Sequence, residues 1–224
     1  MSTAREAMLG TIRAALTDVP AAEPERWDGP GPAGAPDAYR RSSPLSRDAV
    51  VDLFVERVAD YRAEVVRCAA GDAALAEAIR AACERQGAQR VAVPPGVPEA
   101  WRVPGVTWQG DDPAAPLSTA ALDAVDGVLT GAAVGVAETG TIVLDHGPGQ
   151  GRRALTLLPD LHLCVLQAVQ VVATVPEAFD RLGAAVAEGR PVTLVSGPSA
   201  TSDIELERVE GVHGPRRLVV LVQG

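Results

Sequence analysis

Short apolar runs rich in β-branched residues alternate in this sequence with segments whose apolar residues recur every three or four positions. The runs predict buried strands, and the periodic segments predict amphipathic helices. Helices and strands that alternate at these lengths are typical of an α/β protein with a largely parallel sheet covered on both faces. We therefore predict an α/β fold built on a mainly parallel, Rossmann-like sheet flanked by helices.

The predicted helices begin and end at recognisable residues. Ser43-Pro44 supplies an N-cap and a first-turn proline for a helix whose apolar stripe continues to Val65. Asp72 caps the next helix, which ends at Gly87, and a capping box at Thr174 begins a helix that ends at Gly189. Strands are predicted over residues 90–93, 106–108, 127–136, 141–144, 155–158, 163–166, 169–172, 192–195 and 218–222.

The N-terminal region has a different composition from the rest. Residues 3–17 predict a short amphipathic helix, and residues 19–44, rich in Pro, Gly and Ala, predict an extended arm. The predicted domains are therefore 1–44 and 45–224. An isolated helix of this length is marginal in water, so we expect it to dock on its own body or to form a homo-oligomer through a neighbouring subunit.

Charge and cysteine content exclude several classes of function. The net charge is −9, which argues against nucleic acid or an anionic membrane as the main partner. All 20 basic residues are arginine, so neither a Schiff-base lysine nor a Walker A loop can form. The three cysteines form no CxxC pair, and no apolar span reaches membrane length, so we expect a cytoplasmic protein without a cluster or metal of its own.

A loop of small polar residues follows the predicted strand 192–195. Its hydroxyl and acidic residues could hold a small anion with the help of backbone N–H groups: Gly197, Ser199, Thr201, Ser202 and Asp203. An ordinary turn in which Ser and Asp only cap the next element explains the composition equally well.

A carboxylate and two arginines are further candidates. Glu138 interrupts two buried runs, together with Thr139 and Gly140, and is either a site residue or the partner of Arg152 or Arg153 in a salt bridge. The glycine-rich stretch 146–151 precedes these arginines and lacks the dinucleotide fingerprint. It predicts a flexible lid, an arginine clamp for a carboxylate or phosphate, or a solvated hairpin loop.

The histidines differ in their surroundings. His213 lies between glycines and is a candidate acid, base or anion donor, whereas His162 lies between apolar strands and is interpreted as a hydrogen-bonded structural residue. No spacing supports a metal site, so none is predicted.

Four motifs in this order resemble the LUD domain of the lactate utilisation protein C family: AETGT at 137–141, RALTLLP at 153–159, GPSATSDIE at 197–205 and GVHGP at 211–215. The resemblance covers about residues 45–224 and implies a fold of the NagB/RpiA/CoA-transferase group. It also implies a part in oxidising L-lactate to pyruvate together with iron–sulfur partner proteins. This chain lacks the ferredoxin-type cysteines of the family's larger member, so we expect clusters in the partners alone.

The resemblance suggests one pocket formed by loops that converge over one edge of a single sheet. In it, an arginine and loop amides hold the carboxylate of lactate, and Glu138 or His213 lies near C2 as a base. Two alternatives stay open. The chain could be a stand-alone enzyme that acts on a CoA thioester or sugar phosphate through Glu138, or a non-catalytic assembly or regulatory module.

Overall fold

The structure, a computed structural model, describes residues 4–15, 42–198 and 214–224. The chain divides into two units, Met1–Tyr39 and Arg40–Gly224. In the first unit, helix α1 (Ala4–Ala15) confirms the helix predicted for residues 3–17. Most of the predicted arm lies outside the described residues, and the predicted domain boundary stays a prediction.

The second unit contains the remaining helices and strands of the described residues. The helices are α2 (Arg47–Asp60), α3 (Asp72–Gln86), α4 (Thr119–Asp123) and α5 (Val175–Ala187). The strands are β1 (Glu64–Cys68), β2 (Arg90–Val93), β3 (Thr107–Gly110), β4 (Gly127–Gly131), β5 (Val134–Val136), β6 (Thr141–Leu144), β7 (Leu161–Gln167), β8 (Val171–Val172), β9 (Thr193–Val195) and β10 (Arg217–Gln223).

Six of these strands form a parallel sheet in the order β1-β10-β7-β4-β2-β3. Without the edge strand β1, this is the doubly wound order 2-1-3-4-5. The chain leaves β2 towards β3 and leaves β4 towards β7, so the direction of winding reverses between β2 and β4. The predicted α/β fold with a mainly parallel sheet is confirmed.

Layers of apolar side chains cover both faces of this sheet. On one face α3 packs through Leu75 and Ile79 against alternate residues of the central strands. On the other face α2 packs through Phe54, which is fully buried. The three cysteines are free thiols; Cys83 and Cys164 are buried among apolar neighbours, whereas Cys68 is half-buried.

A second, smaller sheet packs on the same face as α2, in the order β8-β5-β6-β9. Strands β5 and β6 form an antiparallel hairpin, β8 pairs with β5 in parallel, and β9 lies at the far edge. Helix α5 covers the outer face through Ala178 and Leu182. Its N-terminus is the predicted capping box. The hydroxyl of Thr174 accepts from the backbone N–H of Glu177, and the carboxylate of Glu177 accepts from the backbone N–H of Thr174.

Several predicted boundaries differ in the structure. The N-cap of α2 is Ser46 rather than Ser43, because its hydroxyl accepts from the backbone N–H of Ala49 at 3.3 Å. Helix α2 ends before Val65, which lies in β1, a strand that the helical spacing of its apolar residues concealed. The N-cap of α3 is Gly71, so Asp72 is the first helical residue.

Four predicted strands also differ in kind or position. The predicted strand 127–136 is two strands, β4 in the large sheet and β5 in the smaller one, and the predicted strand 169–172 begins within a 3₁₀ helix at Ala168–Gln170. A 3₁₀ helix at Arg153–Thr156 takes the place of the first half of the predicted strand 155–158, because Leu155 packs into a small apolar cluster against α4 instead of joining a ladder. The predicted buried strand 192–195 is the half-exposed edge strand β9 of the smaller sheet. Within the described residues, no helix has the length and apolar content that a bilayer span requires.

His162 is a buried structural residue, as predicted. Its side chain is 2% exposed, and Nε2 shares a hydrogen bond of 2.7 Å with the hydroxyl of Thr130 on the neighbouring strand. Burial, helped by the positive charge of Arg153, lowers the pKa of His162 to about 4. The folded protein therefore holds this ring neutral well below the pH at which an unfolded histidine takes up a proton.

This difference predicts a loss of stability in mild acid. At pH values between the unfolded histidine pKa of about 6.5 and the folded value, only the unfolded state binds the proton. The contribution of His162 to stability is therefore fully present above about pH 6.5 and is lost as the pH decreases towards the folded pKa. We expect wild type to lose about 2 kcal/mol more unfolding free energy than His162→Gln between pH 7 and pH 5, measured by urea denaturation. Equal losses in the two proteins would contradict this assignment.

Candidate functional site

Glu138 lies in the tight turn of the β5–β6 hairpin. The turn runs from Ala137 to Gly140 and is closed by the N–H of Gly140, which donates to the carbonyl of Ala137 at 3.3 Å. The N–H groups of Ala137 and Glu138 donate to the carbonyls of Val172 and Ala173 at 2.8 and 3.1 Å. The half-buried carboxylate of Glu138 is therefore carried on a fixed backbone.

Gly140 allows this turn to pack closely on α2. Its φ is +57°, and a Cβ at this position would lie 2.7 Å from the carbonyl carbon and oxygen of Arg57. Because neither backbone can move aside cheaply, the contact restricts this position to glycine.

A chain of hydroxyls connects the turn with the end of β9. Thr139 and Thr141 share a hydrogen bond of 2.8 Å between their Oγ1 atoms, and Thr141 shares another of 2.8 Å with Oγ of Ser196. These hydroxyls line a cleft of about 280 Å³ whose other walls are mostly apolar side chains of the smaller sheet and α5. Next to Ser196, Gly197 has a φ of +80° and packs closely against Tyr61.

The cleft brings Thr139 close to Ser196, the residue before Gly197, while Glu138 and Gly140 belong to the same turn as Thr139. That these residues form one binding pocket stays a prediction. The other residues predicted for this pocket lie outside the described residues: Ser199, Thr201, Ser202, Asp203 and His213. Their roles stay predictions.

The glycine-rich stretch predicted as a clamp or a hairpin loop forms an ordered loop at the carboxyl ends of β2 and β4. Gly149 accepts from the N–H of Gly131 and donates its own N–H to the carbonyl of Pro95, both at 2.8 Å. The buried side chain of Gln150 accepts from the N–H of Asp145 at 2.7 Å and donates to the Asp145 carboxylate at 2.6 Å. Hydrogen bonds therefore hold the loop at both its middle and its start.

His146 ties this loop to β9. Its Nδ1–H donates to the carbonyl of Gly151 at 2.7 Å, and Nε2 shares a hydrogen bond of 2.8 Å with the hydroxyl of Thr193. The residue has a φ of +54°, which is uncommon for a residue other than glycine. Both ring nitrogens are occupied, so His146 is a positioning residue for the loop in this structure.

Arg152 forms a bidentate ion pair with Asp111, which follows β3. Its Nε and Nη2 donate to the two carboxylate oxygens at 2.8 and 2.9 Å, and Nη2 also donates to the carbonyl of Leu117. The Asp111 side chain is 4% exposed, while that of Arg152 is 40% exposed. The hydrogen bonds from Arg152 lower the pKa of Asp111, which keeps the carboxylate charged.

Arg153 is half-buried beside the start of the 3₁₀ helix. Its Nη1 donates to the carbonyl and hydroxyl of Thr156 at 2.8 and 3.1 Å. Burial lowers the pKa of this guanidinium, although it stays a cation at neutral pH.

Arg152 and Arg153 both line an open cleft of about 460 Å³, which we call the arginine cleft. His146, Gly147 and Gly151 form one wall from the glycine-rich loop. The other lining residues are proline rings: Pro95, Pro113, Pro148 and Pro191. This cleft lies at the carboxyl edge of the parallel sheet, next to the reversal of winding where open α/β sheets bind ligands.

The predicted site residues therefore fall into two groups with different surroundings. Glu138 lies in the smaller sheet, at a hairpin turn that packs on α2, whereas Arg152 is held at the carboxyl edge of the large sheet. The expectation that all these loops extend from one edge of a single sheet is wrong, because the chain builds a second sheet between them.

Sequence reasoning missed Asp111, Ser196 and Thr193 as partners of site residues. Asp111 carried a usable signal, since it is an acidic residue three positions after a predicted strand. Ser196 begins the polar loop that follows the predicted strand 192–195, but only the position of β9 in the smaller sheet brings it to Thr141 and brings Thr193 to His146. In the described ranges, no group of three or more His, Cys, Asp or Glu side chains could hold a metal ion.

Comparisons with known proteins agree on one family. The family described as LUD domain matches residues 117–222. The chain is 50% identical to lactate utilization protein C of Deinococcus radiodurans over 188 residues, which cover 83% of this chain and 85% of that protein. It is 31% identical to uncharacterized protein YkgG of Escherichia coli K12 over 83% of this chain and 84% of that protein.

A solved structure supports the fold. The crystal structure of a DUF162 family protein from Deinococcus radiodurans superimposes with a TM-score of 0.70 at 46% identity. The match covers 81% of this chain and all of that one.

The close packing at Gly140 generates a stability prediction. We expect Gly140→Ala to lower the free energy of unfolding by about 2 to 3 kcal/mol, because it combines backbone strain with a clash against α2. Gly183→Ala is the matched control: Gly183 lies in α5 with no atom within 4 Å of an added Cβ, so stability should rise by about 0.5 to 1 kcal/mol. If urea denaturation shows the same change for both variants, the described packing of the turn is incorrect.

Proposed function

The chain belongs to the LUD domain family of lactate utilisation protein C, and from this premise we propose that it is a subunit of an iron–sulfur system that oxidises L-lactate to pyruvate. The observation that carries the proposal is the 50% identity to a lactate utilization protein C over 83% of the chain. In this proposal the chain contains no cluster, and its iron–sulfur partner proteins accept the electrons.

The candidate site supports the binding of a small anion. Lactate and pyruvate are monoanions, and two guanidinium groups line one open cleft at the carboxyl edge of the sheet. Guanidinium and carboxylate groups form strong, charge-assisted hydrogen bonds, so this cleft suits a carboxylate despite the acidic net charge of the chain.

The Glu138 turn supports a chemical role for this subunit. Its carboxylate is half-buried and its backbone is held by hydrogen bonds to the chain after β8, so the group is carried on a rigid support. In the proposal, Glu138 or His213 acts as the base that accepts a proton as lactate is oxidised, and Glu138 does so only on lactate bound at its own turn, apart from the arginine cleft. Thr139 and Gly140 hold the geometry of the turn.

Reconstitution tests this proposal. Purified iron–sulfur partner proteins are assayed for lactate-dependent reduction of an electron acceptor with and without this chain. We expect oxidation to require the chain and to fall at least about 100-fold with Glu138→Gln, because a positioned acid or base contributes that much. Glu99→Gln is the matched control, since the Glu99 side chain is 84% exposed and pairs with Arg102 on the surface.

The outcomes separate the proposal from its alternatives. A rate that does not depend on this chain would overturn the proposal. A rate that requires the chain but is unchanged both by Glu138→Gln and by His213→Gln would leave the subunit role intact and support an assembly function instead of a catalytic one.

A further inference from the structure

The arginine cleft has features that identify the chemical class of its ligand. It lies over the carboxyl ends of β2 and β3, and the described residues that line it include two arginines and no acidic side chain. Guanidinium N–H donors at the lining suit an anionic ligand, although the charge of Arg152 is shared with the buried Asp111 carboxylate.

Three backbone N–H groups of the glycine-rich loop already have partners. A glycine-rich loop that holds phosphate does so with several unpaired N–H groups. In this loop the N–H of Gly147 donates to the Asp145 carboxylate at 3.1 Å, that of Gly149 to Pro95 at 2.8 Å and that of Gln150 to Gly147 at 3.1 Å. Because these three donors are used within the protein, we assign the binding of the ligand to the guanidinium groups.

Arg152 is held in one orientation. Its Nε and Nη2 are bonded to Asp111 and Leu117, and among the described residues Nη1 has no hydrogen-bond partner. The ion pair thus fixes the guanidinium plane and leaves Nη1 to donate to a ligand. A preorganised donor loses little side-chain entropy on binding, which favours affinity for a small molecule.

Arg153 adds a second cation next to the first. It is half-buried, and burial lowers its pKa, so the charged form is only partly solvated. Its Nη1 donates to the carbonyl and hydroxyl of Thr156, and the residue lines the cleft together with Arg152. A guanidinium carries five N–H donors, so it can bind a carboxylate in addition to such partners.

The remaining walls favour a ligand with a small apolar part. Four proline rings line the cleft, and they offer rigid apolar surface with no N–H donors. A compact phosphate would leave this apolar surface uncovered, whereas a short monocarboxylic acid can place its carboxylate on the arginines and its methyl group on the prolines.

We propose that the arginine cleft binds the carboxylate of a small 2-oxo or 2-hydroxy monocarboxylic acid through Arg152 and Arg153. The choice of this acid class rests on the proposed function, while the position of the site rests on the cleft itself. His146 and Asp111 are positioning residues, which hold the loop wall and the Arg152 guanidinium.

Calorimetric titration of the full chain with sodium pyruvate, at constant ionic strength, tests the proposal. We expect Arg153→Gln to weaken pyruvate binding at least tenfold, and Arg153→Lys to weaken it less because a cation is kept without the planar fork. Arg80→Gln is the charge-matched control: Arg80 pairs with Glu77 and Glu84 on the surface of α3, so pyruvate affinity should stay as in wild type. Thermal unfolding of each variant checks that it is folded. If Arg153→Gln does not fold, the pyruvate affinity of Arg153→Lys tests the site instead.

Each remaining result counts for or against the site. Equal pyruvate affinities in wild type, Arg153→Gln and Arg153→Lys would overturn it, as would tighter binding of inorganic phosphate than of pyruvate. Loss of pyruvate binding in Arg153→Gln, in a system whose lactate oxidation does not need this chain, would support the site and reject the proposed function. Lactate oxidation that needs this chain, together with unaltered pyruvate binding by the Arg153 variants, would support the proposed function and reject the site.

Discussion

All six strands of the large sheet run in the same direction, so their carboxyl ends and the loops that follow lie along one edge. This constraint brings Pro95 after β2 and Asp111 after β3 to the same side as the glycine-rich loop. None of these segments is close to the others in sequence. The arginine cleft forms where the chain after β2 and β3 meets the glycine-rich loop, which follows β6 of the smaller sheet.

The ion pair between Asp111 and Arg152 then gives this edge a defined shape. A buried carboxylate and a partly exposed guanidinium share two hydrogen bonds, and the same guanidinium holds the chain at Leu117. On the other side, Asp145 organises the loop through Gln150 and Arg190. The walls are therefore fixed by interactions that do not involve a ligand, which is the preorganisation expected of a binding site.

The sequence predicted those elements whose signals are local. The capping box at Thr174 and the left-handed Gly87 at the end of α3 depend on residues one turn away, and both lie where the pattern placed them. Val65 was misassigned because its spacing from the apolar stripe of α2 is helical, although β1 pairs with β10 about 150 residues later in the chain. Strand pairing across such separations has no local signal.

The candidate site shows the same division. Glu138 and the two arginines could be identified from sequence, because charged residues next to buried runs are conspicuous. Their partners could not, since Arg152 and Asp111 are 41 residues apart and Thr141 and Ser196 are 55 apart. The site is divided into a hairpin turn and an arginine cleft because the chain forms a smaller sheet. No local sequence pattern predicted that sheet.

A crystal structure of the chain with bound pyruvate would test the central claim most directly. The account predicts that the pyruvate carboxylate lies within hydrogen-bond distance of Arg152 or Arg153, with its methyl group against the proline rings. A carboxylate bound instead at the hydroxyls of Thr139 and Ser196, with the arginine cleft empty, would contradict it.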